Sequence, residues 1–456
     1  MSELVTTIAA ISTPPGKGGV ALIRVSGPDA FAITERVFRP KGGRQPRELP
    51  RYAVYGDMLL EGSVIDDGLC TAFPAPGSYT GEDTVELTCH GGVLITRTVL
   101  EALFVAGAAP AGPGEFTRRA FLSGRLGLTE AEAIATLLDA KSEAQVRLSA
   151  SRGLLASRLA EHYREALALT VAAEAVIDFP EEDLSEIPED ELCKRLEALC
   201  HDVGSLCGSY RTGRAVSEGV RTVIIGRPNV GKSSLYNLLV GEDAAIVSEH
   251  EGTTRDVLER TVALGRVLLR LSDTAGLRES SDPVERIGVD RAKAALAEAD
   301  LVLAVFDSSH PLSDEDRAIL AMQADVHVPC IAILNKSDLA PRIEREELLA
   351  HFGSVLELSA THGTPMPLIE AVDRLFTDGE LVIGESAIVS SARQYAALAR
   401  AHACLGDALT ALRGGLPADM YTADLEAALS ALGEVDGRTV NEEIVGEIFS
   451  HFCVGK

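Results

Sequence analysis

The octapeptide GRPNVGKS, Gly226 to Ser233, sets glycines at 226 and 231 and follows the second with lysine and serine. That spacing lets successive backbone N–H groups turn around a phosphate chain at the head of a helix. Lys232 then neutralises β- and γ-phosphate oxygens, and the Ser233 hydroxyl ligates Mg²⁺. Asn229, Val230, Gly231 and Ser234 belong to the same binding loop. Alone, the loop suits ATP as well as GTP. Further segments decide the base. In GTTRD (252–256), Thr254 stands where it completes the magnesium shell, with Thr253 beside it. In DTAG (273–276), Asp273 is placed to hold the metal through water and the Gly276 N–H to sense the γ-phosphate, with Thr274 and Ala275 between them. NKSD (335–338) offers Asn335, Lys336 and the Asp338 carboxylate. Asp338 accepts both N1–H and N2–H₂ of guanine; adenine has no such pair and leaves the carboxylate mismatched. Ser359, Ala360 and Thr361 supply a last backbone contact. The ordered set implies a GTP site.

One position departs from the usual pattern. Many small GTPases place glutamine after DTAG to orient the attacking water, whereas this chain has Leu277. Water positioning and positive charge must come from elsewhere. Asn229 is a neutral oxygen donor beside the phosphates, and the VSEHEGTT segment (247–254) has carbonyls able to wrap a monovalent cation. Glu285 is an acid in reach of this region; its plainer role is a surface carboxylate in a charged loop.

The chain closes on HFCVGK, His451 to Lys456. The plain reading is that Phe452 and Cys453 dock a terminal helix. The chemical reading is a thiolate at Cys453 acting as a nucleophile.

These groups need elements to carry them. Residues 1–120 mix short alternating strands (TIAAIS, VALIRVSG, RYAVYGDMLL, DTVELTCHGG) with Gly/Pro turns and read as an α+β domain. Residues 121–214 turn to Ala/Leu/Glu-rich helical spacing, broken by DFPEEDLSEIPEDE. Over 215–380, strands RTVIIG, VLLRLSDTAG, ADLVLAVFD, PCIAILNKSD and VLELSA alternate with helical patterns, which implies a mostly parallel sheet. Residues 381–456 return to helix and end in FCVGK. The simplest architecture is multidomain: an N-terminal α+β domain, a split all-helical domain, and an α/β P-loop domain inserted into it.

Composition narrows the classes. The 456 residues carry 42 basic against 68 acidic side chains, a net charge of −26, which disfavours indiscriminate binding to polyanions or anionic membranes. A local basic stretch, RPKGGRQPRELPR (39–51), reads more simply as a solvated loop. No window resembles a membrane span and the N-terminus lacks a basic signal region, so the expected compartment is the cytoplasm, with no membrane partner. Eight cysteines are scattered without a CxxC pair. Cys193, Cys200 and Cys207 recur every seventh residue, which on a helix separates neighbours by about 10 Å. They read as an apolar helix stripe rather than a metal site.

Taken together, TPPGKGGVALIRVSG (13–27), SYTGEDTVEL (78–87), CHGG (89–92), PGEFTRRAFLSGRLGLTEAEA (113–133), IDFPEE (177–182), the GTPase segments and terminal FCVGK resemble the MnmE/TrmE family of tRNA-modification GTPases. The likeness spans nearly the full chain. It implies that residues 1–120 bind folate and form a homodimer. It further implies a heterotetramer with an FAD-dependent MnmG/GidA-like protein, and tRNA as substrate. The reaction implied adds a carboxymethylaminomethyl-type group to C5 of the wobble uridine. Its one-carbon unit would come from a 5,10-methylene- or 5-formyl-tetrahydrofolate. By the same resemblance Arg24, Glu86 and Arg125 are folate positions, with Lys456 a further contact. A lysine also occurs in the family at the place of Arg125, so contact geometry differs there. Asn229, Ser248, His250 (through its carbonyl) and Thr253 become K⁺ ligands, and Glu285 positions the water. Potassium then replaces an arginine finger, and Cys453 lies at the folate-facing end. Two alternatives stand beside this reading: a GTPase switch in ribosome assembly without modification chemistry, and a folate-dependent aminomethyltransferase with a regulatory GTPase.

Overall fold

Alternation in VALIRVS and TVELTCH builds two neighbouring strands with unlike faces. The structure, a computed structural model, describes residues 6–178, 187–241, 259–272, 299–324, 328–377, 382–440 and 442–456. Packing gathers the chain into two compact units, residues 1–135 with 433–456, and residues 136–432. This differs from the four segments expected from sequence texture. The last 24 residues join the first unit because their aromatic side chains are buried there, not among the helices that precede them.

The first unit contains β1 (Ile8–Ile11), β2 (Val20–Ser26), α1 (Ala30–Val37), β3 (Phe38–Pro40), β4 (Val54–Leu60), β5 (Ser63–Phe73), β6 (Thr84–His90), α2 (Val93–Val105), β7 (Ala109–Pro110) and α3 (Glu115–Leu122). Its sheet runs β3-β4-β5-β6-β2-β1-β7. Pairing is antiparallel except between β1 and β7. Ile23, Val25, Val85 and Leu87 point into a core closed by Val37 of α1 and Leu103 of α2. Period-two alternation therefore turns Arg24 and Glu86, which face each other in register, to the other side of the sheet. The basic loop is solvated as expected, with part of its charge paired: Arg39 and Lys41 meet Asp57 at 3.0 and 2.5 Å, and Arg47 meets Glu35 at 2.9 Å.

The second unit begins in α4 (Leu128–Leu138), whose first turns belong to the first unit, and continues through α5 (Glu143–Ala150), α6 (Arg152–Asp178) and α7 (Glu189–Ser217). Leu192, Leu196, Leu199, Val203 and Leu206 are buried along α7, while Cys193, Cys200 and Cys207 flank that stripe half-buried. None of the three thiols belongs to a ligand cluster among the described residues. Helix Ala392–Arg413 runs antiparallel to α7: Arg413 reaches Glu197 at 2.7 Å and Val389 N–H reaches the Ser209 hydroxyl at 3.0 Å. A split helical body is thus completed by chain from beyond an inserted sheet. That sheet holds β8 (Val220–Ile225), β9 (Glu259–Leu264), β10 (Val267–Ser272), β11 (Leu301–Asp307), β12 (Cys330–Asn335) and β13 (Ser354–Glu357), in the order β13-β12-β11-β8-β10-β9. All pairs are parallel except the β9–β10 hairpin. Such a sheet presents its loops at the carboxyl ends of the strands, where ligands bind.

Candidate functional site

The phosphate loop leaves the end of β8 and turns into α8 (Lys232–Val240). Val230, fully buried, anchors it in the sheet's core. Two glycines are required by close approach. A Cβ on Gly226 would lie 2.6 Å from the Val305 carbonyl oxygen, and one on Gly231, at φ 98°, would collide with the Asn335 carboxamide. Asn229 stands exposed at the tip in the left-handed region, φ 63°. The Lys232 ammonium folds across the loop, donating to the carbonyls of Gly226 at 2.7 Å and Arg227 at 2.9 Å. Burial pushes its pKa below the ordinary lysine value. Ser233 and Ser234 occupy the first turn of α8 with Ser233 exposed, where helix N–H groups favour anions.

Asn335 joins three loops. Its Nδ2 donates to the Val230 carbonyl at 2.8 Å, and its Oδ1 accepts from Ala360 N–H at 2.9 Å. The phosphate loop, the NKSD turn and the SAT turn are therefore fixed together by one buried carboxamide. Lys336 follows at φ 62°, its ammonium 2.6 Å from Asp307. Asp338 is exposed; the Ser359 hydroxyl beside it, then its own backbone N–H, hold its carboxyl below the usual range. Ser359 and Ala360 are buried and Thr361 is exposed. Ser248, His250, Thr253, Thr254, Asp273, Thr274, Ala275, Gly276, Leu277 and Glu285 lie outside the described residues.

The first unit assembles a second constellation. Arg24 donates to Glu86 Oε1 through Nε at 3.1 Å and Nη2 at 2.8 Å. Its guanidinium lies 5.0 Å from the Tyr79 ring centroid and 5.6 Å from that of Phe116. The 78–83 loop is clasped from below. Glu82 accepts from the Ser26 hydroxyl at 2.8 Å and from Arg119 at 3.1 Å, and Arg119 also binds Glu115 at 2.8 Å. Arg125 is exposed, with its Cγ 3.2 Å from where a Cβ on Gly81 would stand, while Ser123 donates to the Thr80 carbonyl at 2.7 Å.

The tail closes on this constellation. Phe452 is buried with Phe449, Val445, Leu128 and Ala131, so the docking half of the plain reading holds for it, while Cys453 is exposed. Gly114 N–H donates to the Cys453 carbonyl at 3.3 Å, the Ser12 hydroxyl to the Gly455 carbonyl at 2.9 Å, and Phe116 N–H to the Lys456 carbonyl at 3.1 Å. Phe116 thus touches the last residue through its backbone and Arg24 through its ring.

Sequence reading missed Tyr79, Phe116, Arg119 and Asp307. Glu115, four residues before Arg119 on one helix face, is a local signal for a buried arginine. Glu82 comes from a distant loop and gives none. Asp66, Asp67 and His90 also cluster, but hydrogen bonds already engage them: His90 Nδ1 lies 2.7 Å from Asp66, and the Tyr55 hydroxyl donates to Asp67.

Two family descriptions match the chain, "MnmE helical domain" over residues 128–453 and "GTP-binding protein TrmE N-terminus" over residues 7–125. Among curated relatives, the tRNA modification GTPase MnmE of Heliobacterium modesticaldum is 43% identical over 464 residues, with 99% of each chain covered. Those of Symbiobacterium thermophilum and Geobacillus kaustophilus are 44% and 40% identical, again over 99% of both chains. A phosphate loop stapled to a guanine-type turn, a split helical body and likeness over the whole length agree: the chain belongs to the MnmE family of tRNA modification GTPases.

Proposed function

We propose that this chain is a potassium-activated GTPase that works as a homodimer with an FAD-dependent MnmG/GidA-like partner. Together they add a carboxymethylaminomethyl-type group to C5 of the wobble uridine of certain tRNAs, in the cytoplasm. In this reading Asp338 selects guanine, and the N–H groups of 229–234 with Lys232 bind the phosphates. Ser233, exposed on the first turn of α8, and Thr254 would hold Mg²⁺; the exposed Asn229, with Ser248, His250 and Thr253, would hold K⁺. Arg24, Glu86, Arg125 and Lys456 would hold a 5,10-methylene- or 5-formyl-tetrahydrofolate; the Arg24–Glu86 pair offers the donor and acceptor edges a pterin needs, between two aromatic rings. When bound, the metals supply positive charge at the phosphates and the folate supplies a one-carbon unit. Glu285 orients the attacking water, and Cys453 serves the modification step.

One observation carries this reading over a ribosome-assembly switch. The tail is seated so that Lys456 and Arg24 share Phe116, which sets an exposed Cys453 in the same unit as a folate-type pair. A switch without chemistry has no use for that arrangement. The test is mass spectrometry of wobble nucleosides in tRNA from a strain deleted for the protein. The modified uridine is expected to disappear and to return with the wild-type chain but not with Arg24→Ala. Full modification in the deleted strain, with altered ribosomal subunit profiles, would favour the switch.

A further inference from the structure

The residues that end β11 do work the nucleotide motifs leave unassigned. Asp307 lies in register opposite Asn335 and is 4% exposed. Its Oδ2 accepts from Lys336 Nζ at 2.6 Å, with His310 Nδ1 3.4 Å away. Its Oδ1 accepts from the Ser309 N–H at 3.0 Å and hydroxyl at 2.6 Å. Ser308 adds two bonds to the same turn, its N–H to the Asn335 carbonyl at 2.9 Å and its hydroxyl to the Lys336 carbonyl at 3.0 Å. The backbone of Lys336 is thereby held left-handed, a conformation a side-chain-bearing residue keeps only under such restraint.

The charge arrangement gives these contacts a purpose. Lys336 and Asp338 stand two residues apart with opposite charge, and Asp338 is exposed. An ammonium released from Asp307 would find the Asp338 carboxylate as its nearest acid in the turn and compete with the N1–H and N2–H₂ of guanine. Asp307 wins that competition because its carboxylate is buried and already oriented by Ser309, where charge-assisted bonds are stronger. We propose that Asp307 is a specificity-determining positioning residue: it sequesters the Lys336 ammonium and so leaves the Asp338 carboxylate for the base. This rests on the reading of Asp338 as the guanine acceptor.

The experiment displaces a fluorescent GDP analogue from the full chain with GDP or with inosine diphosphate, which lacks the N2 amino group. The GDP-to-IDP affinity ratio reports the Asp338 contact, whereas general loosening of the site weakens both competitors alike. Asp307→Asn is expected to lower that ratio about tenfold, the worth of one hydrogen bond to a charged group. In a Lys336→Met background, with no ammonium to release, Asp307→Asn should leave the ratio where that background sets it. An unchanged ratio in Asp307→Asn, or an equal fall in both backgrounds, overturns the proposal. If Asp307→Asn does not fold, Ser309→Ala loosens the same carboxylate more mildly; a fall of about threefold supports the proposal and no fall overturns it. Asp338→Asn is measured alongside with xanthosine diphosphate. Failure of that variant to gain xanthine binding removes the reading of Asp338 itself. Success there with an unaltered ratio in Asp307→Asn removes only the role of Asp307.

Discussion

On the proposed reading Asp338 selects guanine, and the Ser359 hydroxyl beside its exposed carboxyl, then its own backbone N–H, hold that carboxyl below the usual range. Asp338→Asn should weaken GTP binding by about 2–4 kcal/mol and admit xanthosine triphosphate, whose 2-oxo group suits an amide donor. Equal GTP affinity in wild type and variant would remove the assignment. A second expectation concerns Leu277, which replaces the usual water-orienting glutamine. Hydrolysis should run several-fold faster in potassium than in sodium at matched ionic strength, and Asn229→Ala should erase that difference while retaining nucleotide. Glu285→Ala should bind GTP normally and hydrolyse it slowly, a defect confined to the chemical step. Single-turnover kinetics in the two salts decide both. The phosphate loop and the NKSD turn were legible in the sequence because each is one short contiguous segment. Arg119 and Asp307 were not, because their partners come from other elements.

At the scale of elements, strand alternation sets Arg24 and Glu86 on one side of the sheet, and the C-terminal segment is fixed by aromatic burial. Phe452 packs 5.1 Å from Phe449, centroid to centroid, over Leu128 and Ala131. Phe452→Ala should lower the stability of the first unit by about 3–5 kcal/mol, read by denaturant melts. A loss below about 1 kcal/mol would mean the segment is not packed there. The paired inner strands β5 and β6 carry a pH-dependent expectation. The Asp66 carboxylate beside His90 raises the imidazole pKa above its ordinary 6.5. The native state then binds that proton more tightly than the unfolded chain. The pair's contribution is fully present below pH 6.5 while Asp66 stays ionised, and is lost as pH rises through the raised value. Titration of the His90 ring by NMR should show a midpoint above 6.5 that falls in Asp66→Asn; the same midpoint in both would deny the pairing.

For the whole molecule, the nucleotide site and the Arg24–Glu86 constellation belong to different compact units, so their activities should separate by mutation. Cys453→Ser removes little volume, and serine is a far poorer nucleophile than a thiolate at neutral pH. The variant is expected to fold, dimerise and hydrolyse GTP with full potassium stimulation. It should fail to modify wobble uridine when supplied with partner protein, folate and NADH. Full modification would leave Cys453 with no chemical role, and loss of both activities would indicate misfolding. The phosphate loop, the NKSD turn, the insertion of a parallel sheet into a helical body and, through resemblance, the family could all be read from the unfolded chain. Those features are written as local periodicity and contiguous motifs, whose backbone geometry is set by the residues that bear them. That the last 24 residues pack with the first unit, and that Arg119 binds Glu82 and Asp307 binds Lys336, emerges only once the chain is folded. A buried charge has meaning only through the partner that compensates it, and these partners come from loops and strands far away in the chain.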